Sequence, residues 1–135
     1  MTTTAAQTTP LIAFTLPSTP YSAQLARFYV RAALSYHDLG GCFEDAETVT
    51  SELVTNAITH ANADTISLEL ACLERAAALV IVVTDPSPAP PVKRQPADDA
   101  EHWRGLHLVE ALSAHWGWRP QHPGKAVYAI LTRKE

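Results

Sequence analysis

Cysteine is nearly absent: Cys42 and Cys72 are the only two in 135 residues. That is too few for a disulfide scaffold, and without a CxxC pair there is neither a redox motif nor zinc-ligand spacing. Both read as reduced, buried thiols of a cytoplasmic protein. Charge is sparse as well, at 18% of residues with a net charge of −4 and no long block of one sign. A direct nucleic-acid binder needs clustered Lys and Arg to neutralise phosphates, so that class is disfavoured. The first twenty residues hold no charged side chain, and their apolar run, Leu11 to Leu16, lacks the basic flank of a signal peptide. The longest unbroken apolar run, Ala76 to Val83, falls far short of a membrane span.

Chemical motifs are missing too. The six histidines, at 37, 60, 102, 107, 115 and 122, form no HExxH and sit at no ligand spacing with a cysteine. No GxSxG surrounds a serine, which argues against a hydrolase nucleophile. There is no GxxxxGK[ST] and no strand-linked GxGxxG, so the commonest phosphate cradles are excluded. The three tryptophans, Trp103, Trp116 and Trp118, read as core or partner contacts rather than base-stacking platforms.

What is present suits one globular domain with one core: 47% of residues are apolar. Residues 1–10, rich in Thr and Ala, are expected to be a flexible end, with the domain running over 11–135. Ile12, Phe14 and Leu16 alternate as in a strand. Ser18-Thr19-Pro20 reads as a helix start. The helix is expected over about Tyr21 to His37, with Leu25, Phe28, Ala32 and Tyr36 recurring at helical spacing and Gly40-Gly41 ending it. A second helix is expected over about Phe43 to Ala61, with Ala46, Val49, Leu53 and Ala57 as its core stripe. Ile66, Leu68, Leu70 and Cys72 alternate along a half-buried strand. Leu79 to Thr84, apolar and β-branched, reads as a central strand covered on both faces. Asp85 to about His102 carries five prolines and no aromatic residue, and reads as a long loop. A third helix is expected over Trp103 to Trp116, with Gly105, Val109, Leu112 and Trp116 on one side. A closing hairpin then joins Trp118–Pro120 to Ala126–Leu131 around Pro123-Gly124. This order implies an α+β fold, a two-layer sandwich with helices on one face of a mixed, largely antiparallel sheet.

Three places could carry chemistry. Glu52, Asn56 and His60 are spaced by four, so they lie along one narrow stripe of the second helix. That stripe either borders a cleft or is simply the wet side of an amphipathic helix. Asp85 follows the most apolar strand, where it either serves as a binding group opening a loop or starts a turn before Pro86. Arg104-Gly105 opens the third helix, either as an anion site or as plain punctuation.

Taken together, these segments resemble a known family. Ser51-Glu52-Leu53-Val54-Thr55-Asn56-Ala57-Ile58-Thr59-His60-Ala61 resembles the N-box of the Bergerat-fold ATPases, the superfamily of gyrase B subunits and sensor histidine kinases. Val82-Val83-Thr84-Asp85 resembles the strand and acid of the next box. Arg104-Gly105-Leu106-His107-Leu108-Val109-Glu110-Ala111-Leu112-Ser113 resembles the glycine box, and Gly124-Lys125-Ala126-Val127-Tyr128-Ala129 the closing strand. The similarity spans about residues 11–132 and is greatest to bacterial anti-sigma-factor serine/threonine kinases and their short relatives.

The resemblance implies an ATP site with magnesium. Asn56 would hold the metal between protein and phosphates, a role an amide oxygen suits. Glu52 would be the catalytic general base. Asp85 would accept the adenine amine, the contact that selects adenine over guanine. Ser87 stands where the family usually has glycine, two residues after the acid, and would border the nucleotide. Arg104, Gly105 and Leu106 would cover the phosphates, although His102-Trp103 replaces the glycine that usually precedes them. Ala126 stands in for a threonine that often lies near adenine. The implied partners are a sigma factor, which the protein would sequester, and an antagonist protein phosphorylated on Ser or Thr; relatives of this type often pair as homodimers. The alternative is a non-catalytic ATP- or protein-binding regulatory module of the same fold.

Overall fold

The computed structural model describes residues 8–60, 63–91 and 100–134, with residues 100–105 described by their backbone alone. The elements run β1 (Thr8–Pro17), α1 (Tyr21–Tyr36), α2 (Ala46–His60), β2 (Thr65–Leu73), β3 (Ala78–Asp85), α3 (Ala100–Leu112), β4 (His115–Gln121) and β5 (Gly124–Thr132). The strands form one sheet in the order β1-β2-β3-β5-β4, and every adjacent pair is antiparallel. The helices cover one face of it, the two-layer α+β arrangement expected from the element order.

Alternation in β2 builds the core as the sequence suggests: Ile66, Leu68, Leu70 and Cys72 are buried while the residues between them are not. From β3, Leu79, Ile81 and Val83 join them, and from α2, Ala46, Val49, Leu53 and Ala57. β3 is indeed central, but the helices cover only one of its faces. Ala78, Val80, Val82 and Thr84 are half-buried on the other face. Its unbroken apolar run therefore overstates its coverage. Val80 and Val82 there line a groove shared with Trp118 and Tyr128.

Several boundaries differ from the sequence reading, among them the start of α2, at Ala46 instead of Phe43. β1 begins at Thr8, because Thr8 to Pro10 pair with Leu73 to Ala71 instead of fraying. α1 ends at Tyr36, before Gly40-Gly41. Asp38 takes the left-handed conformation (φ 57°), and the Leu39 N–H bonds the Leu34 carbonyl while the Asp38 N–H bonds that of Ser35. This is the closing pattern glycine usually serves. α3 begins at Ala100, earlier than Trp103, and ends at Leu112, so Trp116 belongs to β4. The amide of Ala114 bonds the Ile130 carbonyl, which commits the chain to the sheet two residues after the helix. Of the proline-rich loop, residues 92–99 lie outside the described residues.

An ion pair ties the two longest helices together. Arg31 donates from Nε and Nη2 to the two carboxylate oxygens of Glu47, at 3.2 and 2.7 Å. The bonded guanidinium holds the Glu47 carboxyl below its usual range. Arg27 adds a bond from α1 to Ser51 Oγ on α2, at 2.7 Å. α2 is thus fixed on both flanks, against α1 and the sheet.

Candidate functional site

A cavity of about 260 Å³ opens between α2, the end of β3, the start of β5 and the first residues after β3. Leu53, Ala57 and Val127 give it apolar walls, and Asn56 and His60 border it from α2. The helical spacing of four is what brings Asn56 and His60 to one side. Pro90 and Pro91 line it as well.

Asp85 is the polar feature of this cavity. Its position in β3 puts its side chain on the helix-facing side, after Leu79, Ile81 and Val83, and the carboxylate is 1% exposed. The acid does open a turn, as one of its two sequence readings held: the Ser87 N–H donates to Asp85 Oδ1 at 2.8 Å. It also lines the cavity.

Its partner is Lys125. The register pairs Asp85 directly with Lys125 across β3 and β5. Lys125 Nζ donates to Asp85 Oδ1 at 3.1 Å and to the Ser87 carbonyl at 3.3 Å. The lysine side chain is 5% exposed, so both charges are buried, and burial at such a site requires this kind of pairing.

The sequence-predicted site residues divide. Asn56, Asp85 and Ser87 come together around the cavity. Glu52 is half-buried one turn earlier on α2 and does not line the cavity. Leu106 is buried at 1% exposure, so its side chain serves packing, and any contact it makes with a ligand would come from its backbone. The side chain of Arg104 lies outside the described residues; the backbone of Arg104 and Gly105 is in the first half of α3.

The profile of the histidine kinase-like ATPase domain matches residues 16–131. The chain belongs to this family. Among solved structures, this histidine kinase-like domain has the fold found in the crystal structure of the RsbU and RsbW domains of Rv1364c from Mycobacterium tuberculosis. The TM-score is 0.67 at 20% sequence identity, and the match covers 92% of this chain but only 32% of that one. No curated protein matches the sequence significantly.

In this histidine kinase-like domain the closing strand needs one correction. Ala126 was expected beside the base site, but strand alternation turns it to the opposite face. There it lines the groove with Trp118 and Tyr128. The residues of this strand that reach the cavity are Lys125 and Val127. One signal for it was present in the sequence: a lone lysine between Gly124 and an apolar run is a poor fit to a buried strand unless an acid meets it.

Proposed function

We propose that this domain binds ATP with magnesium and acts as an anti-sigma regulatory factor, sequestering a sigma factor and phosphorylating Ser or Thr of an antagonist protein. The observation that carries the nucleotide part is Asp85, a buried carboxylate facing a cavity with apolar walls, beside Asn56. The chemistry suits the ligand. Apolar walls take a flat purine, and a carboxylate at its edge accepts from the exocyclic amine.

Magnesium fits as well. Among the described residues no group of three or more His, Cys, Asp or Glu could hold a metal. An ion held by Asn56 would therefore draw its other ligands from phosphate and water, as magnesium commonly does. Bound there, the metal would supply neutralisation of phosphate charge. The chain's own residues do the rest: Asn56 orients the ion, Asp85 fixes the base, and Glu52 takes the proton of the attacking hydroxyl. Phosphoryl transfer depends mainly on such positioning. The regulatory part rests on the anti-sigma resemblance of the motifs, and the fold shared with a chain bearing an RsbW domain is in keeping with it. One observation favours the non-catalytic reading instead, namely that Glu52 does not line the cavity.

Calorimetric titration with Mg·ATP tests the nucleotide reading. Binding is expected, and Asn56→Ala should weaken it about tenfold in the presence of magnesium, the scale of one lost polar contact. In metal-free buffer, parent and variant should bind alike. Absence of binding by the folded parent would overturn the reading.

A further inference from the structure

Lys125 has no role in the function proposed above, yet it is the side chain closest in kind to a ligand group at the base end of the cavity. It is buried, charged and bonded to the residue that would choose the base. We propose that Lys125 is a specificity-determining residue: with Asp85 it offers the purine's six-position both a donor and an acceptor, so the site takes 6-oxo purines as well as adenine. This rests on the purine-binding reading of the cavity and refines which purines enter it.

A buried carboxylate alone can satisfy an amine at the six-position but meets a carbonyl there with repulsion and no donor. An ammonium carries three donors. Lys125 spends two of them, on Asp85 Oδ1 and on the Ser87 carbonyl, which leaves one. Both bonds to the Asp85 carboxylate, from Ser87 N and from Lys125 Nζ, fall on Oδ1. Among the described residues no hydrogen bond reaches Oδ2. The pair therefore keeps one acceptor and one donor side by side, and both residues line the cavity. The two are direct cross-strand partners held by the sheet and by the backbone of Ser87.

A purely structural ion pair is the competing explanation. Buried pairs add little net stability over apolar residues of the same size, so stability alone is a weak reason for one at a cavity wall.

Dissociation constants for Mg·ATP and Mg·ITP decide between the two. Inosine lacks the 2-amino group of guanosine, so this comparison isolates the six-position edge. The parent should bind the two within about threefold of one another, less than one full hydrogen bond's worth. Lys125→Met removes the donor and should turn the ratio toward ATP by about tenfold or more. Asp85→Asn removes the anionic acceptor, keeps the ammonium, and should move the ratio the opposite way. General damage to the site cannot produce shifts of opposite sign.

An unchanged ratio in both variants would overturn the proposal and leave the pair structural. A strong ATP preference in the parent would overturn it too, while leaving the ATP reading intact. A folded parent that binds neither nucleotide would remove both readings together. Circular dichroism follows folding throughout, and should Lys125→Met not fold, the direction of the Asp85→Asn shift decides alone.

Discussion

Gly124 owes its identity to what lies beside it. A Cβ at this position would stand 1.9 Å from the Asp85 carbonyl oxygen and 2.5 Å from Pro86 Cα, both backbone atoms that cannot swing away. The close approach of β5 to the end of β3 at this point is also what pairs Lys125 with Asp85. Gly124→Ala should therefore cost about 1–3 kcal/mol or more, as overpacking does, and disturb the cavity as well. A methyl group at Gly40 would meet nothing within 4 Å, and the backbone there is not left-handed, so Gly40→Ala should be neutral or slightly stabilising. Urea unfolding midpoints of the two variants check the contrast, and equal losses would contradict it. Gly124 and Lys125 both belong to a recognisable closing-strand segment. A lone lysine before an apolar run was the one hint, and the partner itself was not legible, because Asp85 is 40 positions from Lys125 and only strand register brings it there.

At the scale of elements, α2 and β2 read directly from the sequence, since their buried residues fall at steps of three and four or at alternate positions. α1 did not. Its larger apolar side chains recur at helical spacing, yet Phe28 is 59% and Tyr36 84% exposed, while Ser22, Ala26, Val30, Ala33 and Leu34 face inward. The inner face is mostly small because α1 packs closely on α2 and β1. Phe14 of β1 stacks on Tyr29 with ring centroids 4.1 Å apart. Side-chain size thus gave the wrong face, and Ala26, fully buried, marks the right one. Ala26→Leu should destabilise by about 1–3 kcal/mol, whereas Phe28→Ser should stay within about 0.5 kcal/mol. Chemical denaturation measures both, and a larger loss for Phe28→Ser would reverse the assignment of faces. Trp116 was misplaced for a related reason. It continues the helical spacing of Val109 and Leu112, and nothing before Gly117 breaks the pattern strongly. β4 lies at the sheet edge, which is where a strand holding Pro120 can be tolerated.

Across the whole molecule, the sheet order sets the end of β3 next to the start of β5 and lays α2 over both, so Asn56, Asp85 and Lys125 meet at one cavity. Glu52 is the member that stands apart. Four residues before Asn56 it sits about 6 Å along the helix axis, off the cavity wall. A base role for Glu52, on an incoming hydroxyl rather than on the nucleotide, makes a separable prediction. Glu52→Gln keeps the side chain's size and removes its basicity, so Mg·ATP binding should match the parent. Transfer of labelled γ-phosphate to a serine of the antagonist should fall by roughly 100-fold or more, the usual scale for a lost general base. Asn56→Ala should instead lose binding and transfer together. Parent-like transfer by Glu52→Gln would take Glu52 out of the chemistry. If the parent binds ATP tightly and meets a verified partner yet transfers nothing, the domain is a nucleotide-dependent binding module, and the distance of Glu52 from the cavity is the structural reason.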